Sequence, residues 1–176
     1  MNVLSKSLKA LQYLGLRKLW LYTLYRIGLQ TGHYRRTTPR KHDDYQGTPA
    51  LHPYTSFPAI DKKQQERTLA RAGEVLQGRY RPFSGEPVEL DLQAGASGKH
   101  WSVLELSPPK EDIKWIWEPG RFGWAITLAR AYAFSGDPAF AQGFWRKTNE
   151  FLDAHPPNLG RQWQSAQEVA IRLMVL

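Results

Sequence analysis

Apolar and polar residues follow different rhythms in successive parts of the chain. Near the N-terminus, Leu16, Leu19, Trp20, Thr23, Leu24 and Ile27 recur every three or four residues, bordered by Arg17, Lys18 and Arg26. That spacing places them on one side of an α-helix. It predicts an amphipathic helix ending near Gly28 or Gly32, either docked on its own domain or lying in a membrane interface. The polar run RRTTPRKHDD and Pro39, Pro49, Pro53 and Pro58 then break any helical rhythm, so residues 34–60 read as a connector. A second helix is expected from the N-cap Asp61 to Gly78, with Leu69, Ala72 and Leu76 on one side. Beyond it, VELDL alternates at Val88, Leu90 and Leu92, and SVLEL alternates less cleanly, which predicts short extended segments or wrapped loops.

The last third has the clearest pattern. Residues 122–134 contain a single charge, Arg130, so a helix there would be apolar on nearly every side and belong in the interior. SGDP follows: Gly136 suits a left-handed helix end, Asp137 a cap and Pro138 a first helical turn, together predicting an antiparallel helical hairpin. Its second helix, to about Ala154, turns Phe140, Phe144, Phe151 and Leu152 inward. After HPPNLGRQW, Ser165 and Glu168 have capping-box spacing, and Ala166, Val169, Ala170 and Leu173 begin a third stripe. That stripe reaches Leu176 without a C-cap signal, as expected of a fragment of a longer protein. The fold class is therefore mainly α, with antiparallel helix hairpins around an irregular or short-strand middle segment. The N-terminal arm covers residues 1–42 and the main domain residues 43–176.

Charge changes this picture in one place. The 176 residues carry 24 Lys and Arg against 16 Asp and Glu, yet residues 1–42 hold nine of the bases and no acid, leaving fifteen bases and sixteen acids elsewhere. The excess is a basic arm rather than a basic face, so no nucleic-acid partner is expected, and the arm keeps its two readings, docked on its own domain or in peripheral contact with a membrane. With no cysteine there is no disulfide, thiol catalysis or cysteine-held zinc. His33, His42, His52, His100 and His155 are dispersed without ligand spacing and most read as solvated surface residues, so no metal is expected. No phosphate-binding Gly-rich loop and no G-x-S-x-G elbow occurs, and no organic cofactor is expected. No cleavable signal is evident.

The stretch DIKWIWEPGRFGW at residues 112–124 concentrates the candidate chemistry. On an extended segment Trp115 and Trp117 would share a face, with Arg121 following at a groove rim. Aromatic rings offer flat contact faces and guanidinium groups hold anions in bidentate fashion, so the stretch reads either as the seam of a core or as a surface for something flat, polar and anionic. Against the surface reading, Trp124 and Trp145 fit a core, Glu118 can pair with Arg121, and Glu168 can serve as a capping-box acid or as a partner of Arg172.

DIKWIWEPGRF, LARAYAFSGDPAFA, NEFLDAHPPNLGRQWQSAQEVAIR and the leading LYRIGLQTGHYRR together resemble the N-terminal region of heparinase II/III-like polysaccharide lyases, in order and over nearly the whole chain. The resemblance implies the opening portion of an incomplete α/α toroid that precedes a β-sandwich. It also implies β-elimination on a uronic-acid polysaccharide, heparan-like or alginate-like: the C5 proton leaves, the 4-linked sugar departs and an unsaturated product remains. The partner would be an acidic polysaccharide and the compartment periplasmic or extracellular. Where the family commonly reads Gly, any residue, Asn, Trp, this chain has Gly160, Arg161, Gln162 and Trp163. The family's Asn-His stretch and catalytic Tyr are expected beyond residue 176, so no catalytic residue is assigned. Trp117, Arg121, Gln162 and Trp163 are the expected substrate contacts. A helical-repeat module of tetratricopeptide type is the alternative, although residues 61–101 do not echo the hairpin.

Overall fold

A computed structural model describes residues 3–39, 61–105 and 112–175, and the side chains of the first helix from residue 15 onward. The fold is mainly α: seven α-helices and one two-stranded sheet among the described residues. Residues 40–60, with His42 and His52 and most of the expected connector, lie outside them. Two compact units divide the chain, Met1–Thr38 and Pro39–Leu176.

In the first unit α1 (Val3–Gln30) is broken at Gly15, whose φ of 73° and ψ of 158° leave the helical region. Gly32, with φ 69°, turns the chain into α2 (His33–Thr37). Tyr34 of α2 packs its ring against Gly28 of α1, where any side chain would collide with it.

The second unit begins with α3 (Lys62–Leu76), capped as its sequence requires: Asp61 Oδ1 accepts from the backbone N–H of Gln64 at 2.7 Å. Two residues later β1 (Arg79–Tyr80) pairs antiparallel with β2 (Val88–Glu89). VELDL is therefore only briefly a strand. Its Leu90 and Leu92 are buried, but Val88 is exposed, and SVLEL forms a 3-10 turn at Trp101–Val103 rather than a strand.

A short α4 (Ile113–Trp117) and a 3-10 turn (Pro119–Arg121) lead into the hairpin of α5 (Gly123–Ser135) and α6 (Pro138–Ala154). Gly136, Asp137 and Pro138 of SGDP take their expected parts. Gly136 has φ 67° and donates its N–H to Tyr132 O at 2.8 Å, and Asp137 Oδ1 accepts from Ala139 N at 2.9 Å. A side chain at Gly143 of α6 would run into Leu76, so α3 and α6 meet closely there. The core gathers Phe122, Trp124 and Leu128 with Val75, Phe140 and Phe151. Phe122 holds a left-handed φ of 59° before α5, and its fully buried ring lies 4.9 Å from that of Phe151 and 5.1 Å from that of Trp124. Burial of an aromatic ring, about 2 kcal/mol or more, is of the size needed to offset such backbone strain.

Three expectations are corrected. The helix α5 is not buried all round: Trp124, Ala125, Leu128 and Ala131 face inward, while Ile126, Arg130 and Tyr132 are exposed, because α3 and α6 cover only one side of it. Trp145 is 62% exposed rather than in the core, its ring edge-on to Phe144. Helix α7 (Ala166–Leu173) turns its apolar stripe outward, Leu173 being 69% exposed, and buries Glu168 and Arg172 instead.

The histidines also depart from expectation, since His100 and His155 are buried. His155 Nε2 lies 3.0 Å from Leu92 O, and Nδ1 has no partner among the described residues, which suits a neutral ring donating from Nε2. Burial pushes its pKa down to about 4, with the nearby Arg172 acting in the same direction and the Leu92 bond opposing it. The unfolded chain therefore binds the proton first, so this stability is fully present above about pH 6.5 and is lost as the pH falls toward 4. Chemical denaturation of the wild type between pH 7.5 and 4.5 should show a loss of up to about 3 kcal/mol from this group. His155→Gln should flatten that slope, and an unchanged slope would assign the pH dependence to other groups.

Candidate functional site

The tryptophan-rich stretch and the Gly160–Trp163 loop meet in one cluster. Arg121, at the end of the 3-10 turn, grips Glu168 of α7 with two hydrogen bonds, Nε to Oε2 at 2.6 Å and Nη2 to Oε1 at 2.8 Å. Its third nitrogen, Nη1, donates to Glu118 Oε2 at 2.8 Å. These carboxylates raise the Arg121 pKa still further, Glu168 contributing most. Arg172, one turn beyond Glu168, donates from Nε to Gly120 O at 2.9 Å and from Nη2 to the backbone and side-chain oxygens of Gln162. Burial lowers its pKa to about 10, leaving it charged at neutral pH, and Glu168 opposes the shift. Arg121 is thus paired with two carboxylates, while the buried Arg172 is met by the Gly120 and Gln162 oxygens, so the ions of this largely buried cluster are hydrogen-bonded as buried charge requires.

Backbone geometry makes room for it. A Cβ at Gly120 would collide with the Gln162 amide, and one at Gly160, whose φ is 81°, would lie 2.8 Å from Gly95 O. Gln162 can then enter the interior, where Nε2 donates to Ile116 O at 2.6 Å and Ala94 O at 3.1 Å. Trp117 Nε1 donates to Arg161 O at 2.9 Å and Trp163 Nε1 to His155 O at 3.3 Å. The Arg172 guanidinium lies 4.7 Å from the Phe151 ring centre and 5.6 Å from that of Trp163.

All four expected contact residues are therefore neighbours of this cluster, but their polar groups are committed within the protein. Gln162 has no exposed surface, Arg121 is occupied on all three nitrogens, and Trp117 and Trp163 are half-buried. Glu168 takes part in half of a capping box: its N–H approaches Ser165 Oγ at 3.4 Å, while its carboxylate goes to Arg121. Because α4 is helical, Trp115 and Trp117 do not share a face. Trp115 is 53% exposed and Trp117 turns inward.

The surface open to a ligand lies beside the cluster and involves residues that the pattern did not single out. Phe83 is 56% exposed on a 3-10 turn with left-handed φ at Phe83 and Ser84, and it meets Trp115 edge to face with ring centres 5.5 Å apart. A cleft of about 200 Å³ is lined by Arg71, Tyr80, Arg81, Ser84 and Glu118 among others. Arg81 is held by a bidentate pair with Glu74, both bonds 2.8 Å. Arg71 also lines a second cleft of about 290 Å³ with Lys63, Arg67 and Arg130. Lys63, Arg67 and Arg71 recur every four residues and so project from one face of α3, a periodicity that was present in the sequence. Tyr80 is buried, which pushes its pKa up to about 12, so it keeps its proton and is a poor base. Among the described residues no cluster of His, Cys, Asp or Glu is arranged to hold a metal.

Comparison with protein families, with curated proteins and with solved structures returns no match to this chain.

Removing Arg121 leaves the 4% exposed Glu168 carboxylate without its two donors. Arg121→Met should cost about 3 kcal/mol in denaturant unfolding, and the double change Arg121→Met with Glu168→Leu should recover part of that loss. Strict additivity of the two single changes would show that the pair is not coupled.

Proposed function

We propose that this chain is the opening portion of the helical domain of an acidic-polysaccharide lyase of heparinase II/III-like type, and that it supplies one wall of the polymer-binding groove. The resemblance of the helical motifs motivates the family, and the antiparallel α5–α6 hairpin is the unit from which an α/α toroid is built. The observation that carries the binding role is the exposed Phe83–Trp115 pair on the same unit as the cation-rich cleft of Lys63, Arg67, Arg71 and Arg130. Aromatic faces suit the C–H surfaces of sugars, and Lys63, Arg67, Arg71 and Arg130 supply the charge that carboxylate or sulfate needs.

On this reading the buried cluster has a positioning role. Arg121, Gln162 and Arg172 fix α4, the Gly160–Trp163 loop and α7 against one another, and so hold Trp115 at the surface. Trp117 and Trp163 support that wall from behind. These residues orient the wall rather than touch polymer, and none of them is assigned the removal of the C5 proton or its delivery to the departing 4-oxygen. The protonated, buried Tyr80 and the buried neutral His155 are both unsuited to those steps.

Affinity electrophoresis in gels containing heparin, alginate or neutral dextran tests this role. The wild type should be retarded by at least one acidic polymer and not by dextran. Arg67→Gln with Arg71→Gln should weaken binding by roughly tenfold or more, and Phe83→Ala with Trp115→Ala by about fivefold, with circular dichroism unchanged because all four side chains are exposed. Equal retardation of the wild type and both variants would remove the proposed wall. Formation of unsaturated uronide by this chain alone would place the catalytic groups within it.

A further inference from the structure

The N-terminal unit carries a feature that polymer binding does not use. Within this unit, several large apolar side chains of α1 are exposed: Leu16 is 77% exposed, Trp20 62%, Leu21 54%, Leu24 44% and Ile27 48%. At 100° per residue, Leu16, Trp20, Leu24 and Ile27 stack into one stripe, with Leu21 beside it. Arg17 borders the stripe, while Lys18 and Arg26 lie farther round with Tyr22 and Tyr25, themselves 59% and 40% exposed. No acid occurs among residues 1–42, which carry nine Lys and Arg. No helix of the described residues is long and apolar enough to cross a membrane.

We infer that α1 from Leu16 to Ile27 is an interfacial anchor for an anionic phospholipid surface, lying in the plane of the bilayer with the Leu16–Trp20–Leu24–Ile27 stripe in the acyl boundary. The apolar stripe supplies the insertion, with Arg17 at its edge and Lys18, Arg26, Tyr22 and Tyr25 on the opposite side of the helix, toward headgroups and water. Trp20 and the two tyrosines have rings with a polar tip, and the cations of Arg17, Lys18 and Arg26 have long apolar stems. Charge complementarity selects the occupant. An arm with bases and no acids is drawn to phosphatidylglycerol or phosphatidylserine, whereas a second copy of the same arm would bring like charges together. A nucleic acid would use the cations but would leave five exposed aliphatic and indole side chains without a role. This anchor does not depend on the polysaccharide reading, since it lies in a separate unit of the chain.

The test is co-sedimentation of the full chain with sucrose-loaded vesicles of phosphatidylcholine, with and without phosphatidylglycerol, at low and high salt. The expected result is binding to the phosphatidylglycerol vesicles that weakens as salt rises, with much less binding to phosphatidylcholine alone. Arg17→Gln with Lys18→Gln should lower the partition coefficient by roughly fivefold per charge removed. Trp20→Ser with Leu24→Ser should lower it by tenfold or more, even though the charge is unchanged. Both pairs are exposed, so the polymer-binding unit should keep its heparin or alginate retardation in these variants. Absence of binding to phosphatidylglycerol vesicles at low salt overturns the anchor. So does binding that survives Trp20→Ser with Leu24→Ser, which would reduce the arm to a nonspecific polycation, or a dimer in solution that these changes dissociate in place of vesicle binding.

Discussion

The bidentate pair between Arg121 and Glu168 spans 47 residues and is the constraint on which the second unit's geometry turns. A carboxylate that is 4% exposed would be prohibitively costly without donors, so α7 can present Glu168 inward only where Arg121 is already waiting. Arg172 follows one turn later and is accommodated in the same way, through Gly120 O and the two oxygens of Gln162. The glycines at 120 and 160 leave the space for these contacts. The ion pair joins the 3-10 turn to α7, and with the Gln162–Ile116, Trp117–Arg161 and Arg172–Gly120 hydrogen bonds it ties α4 and the Gly160–Trp163 loop to them.

Local chemistry was legible where the decisive interactions were local. Asp61 and Asp137 cap the helices they precede, Gly136 closes α5, and the hairpin between Phe122 and Ala154 follows from four consecutive residues. Hydrophobic periodicity failed where a polar network outweighed it. The stripe Ala166, Val169, Ala170 and Leu173 has the proper spacing for an inner face, yet the buried side of α7 carries Glu168 and Arg172, whose partners lie across the chain in the 3-10 turn and the Gln162 loop. No pattern within eight residues of α7 could reveal that Arg121 would be there. In the same way, Trp145 has the size of a core residue but sits on the outer side of α6, and His155 looked like a surface residue until Leu92 O and the Phe151 ring were placed around it.

The candidate site was half legible for the same reason. The four residues chosen for sugar contact do belong together in space, which their separation in sequence did not guarantee. Their indole N–H groups, amide and guanidinium are consumed in joining segments of the protein, whereas Phe83, Trp115, Arg67 and Arg71 are among the rings and cations open to solvent. An alternation of apolar residues does not distinguish Trp115 from Trp117 when the segment is one turn of helix rather than a strand. The exposed row on α3 was readable from the i, i+4, i+8 recurrence of Lys63, Arg67 and Arg71, although a row of cations is ordinarily a solvated helix face. The two kinds of side chain differ in environment: the buried ions join segments of the body, and the exposed ones face solvent.

The central claim is that Arg121 and Arg172 are locked in a buried, hydrogen-bonded cluster. The most direct measurement is a nitrogen-15 NMR spectrum of the arginine side chains of the whole chain near neutral pH, with hydrogen exchange followed at each Nε–H. Two Nε–H signals, assigned by substitution to Arg121 and Arg172, should exchange far more slowly than those of exposed arginines such as Arg17 and Arg146, and Glu168→Gln should accelerate the Arg121 signal. Arginine signals that all exchange at the rate of exposed side chains would contradict the cluster and the fold built around it.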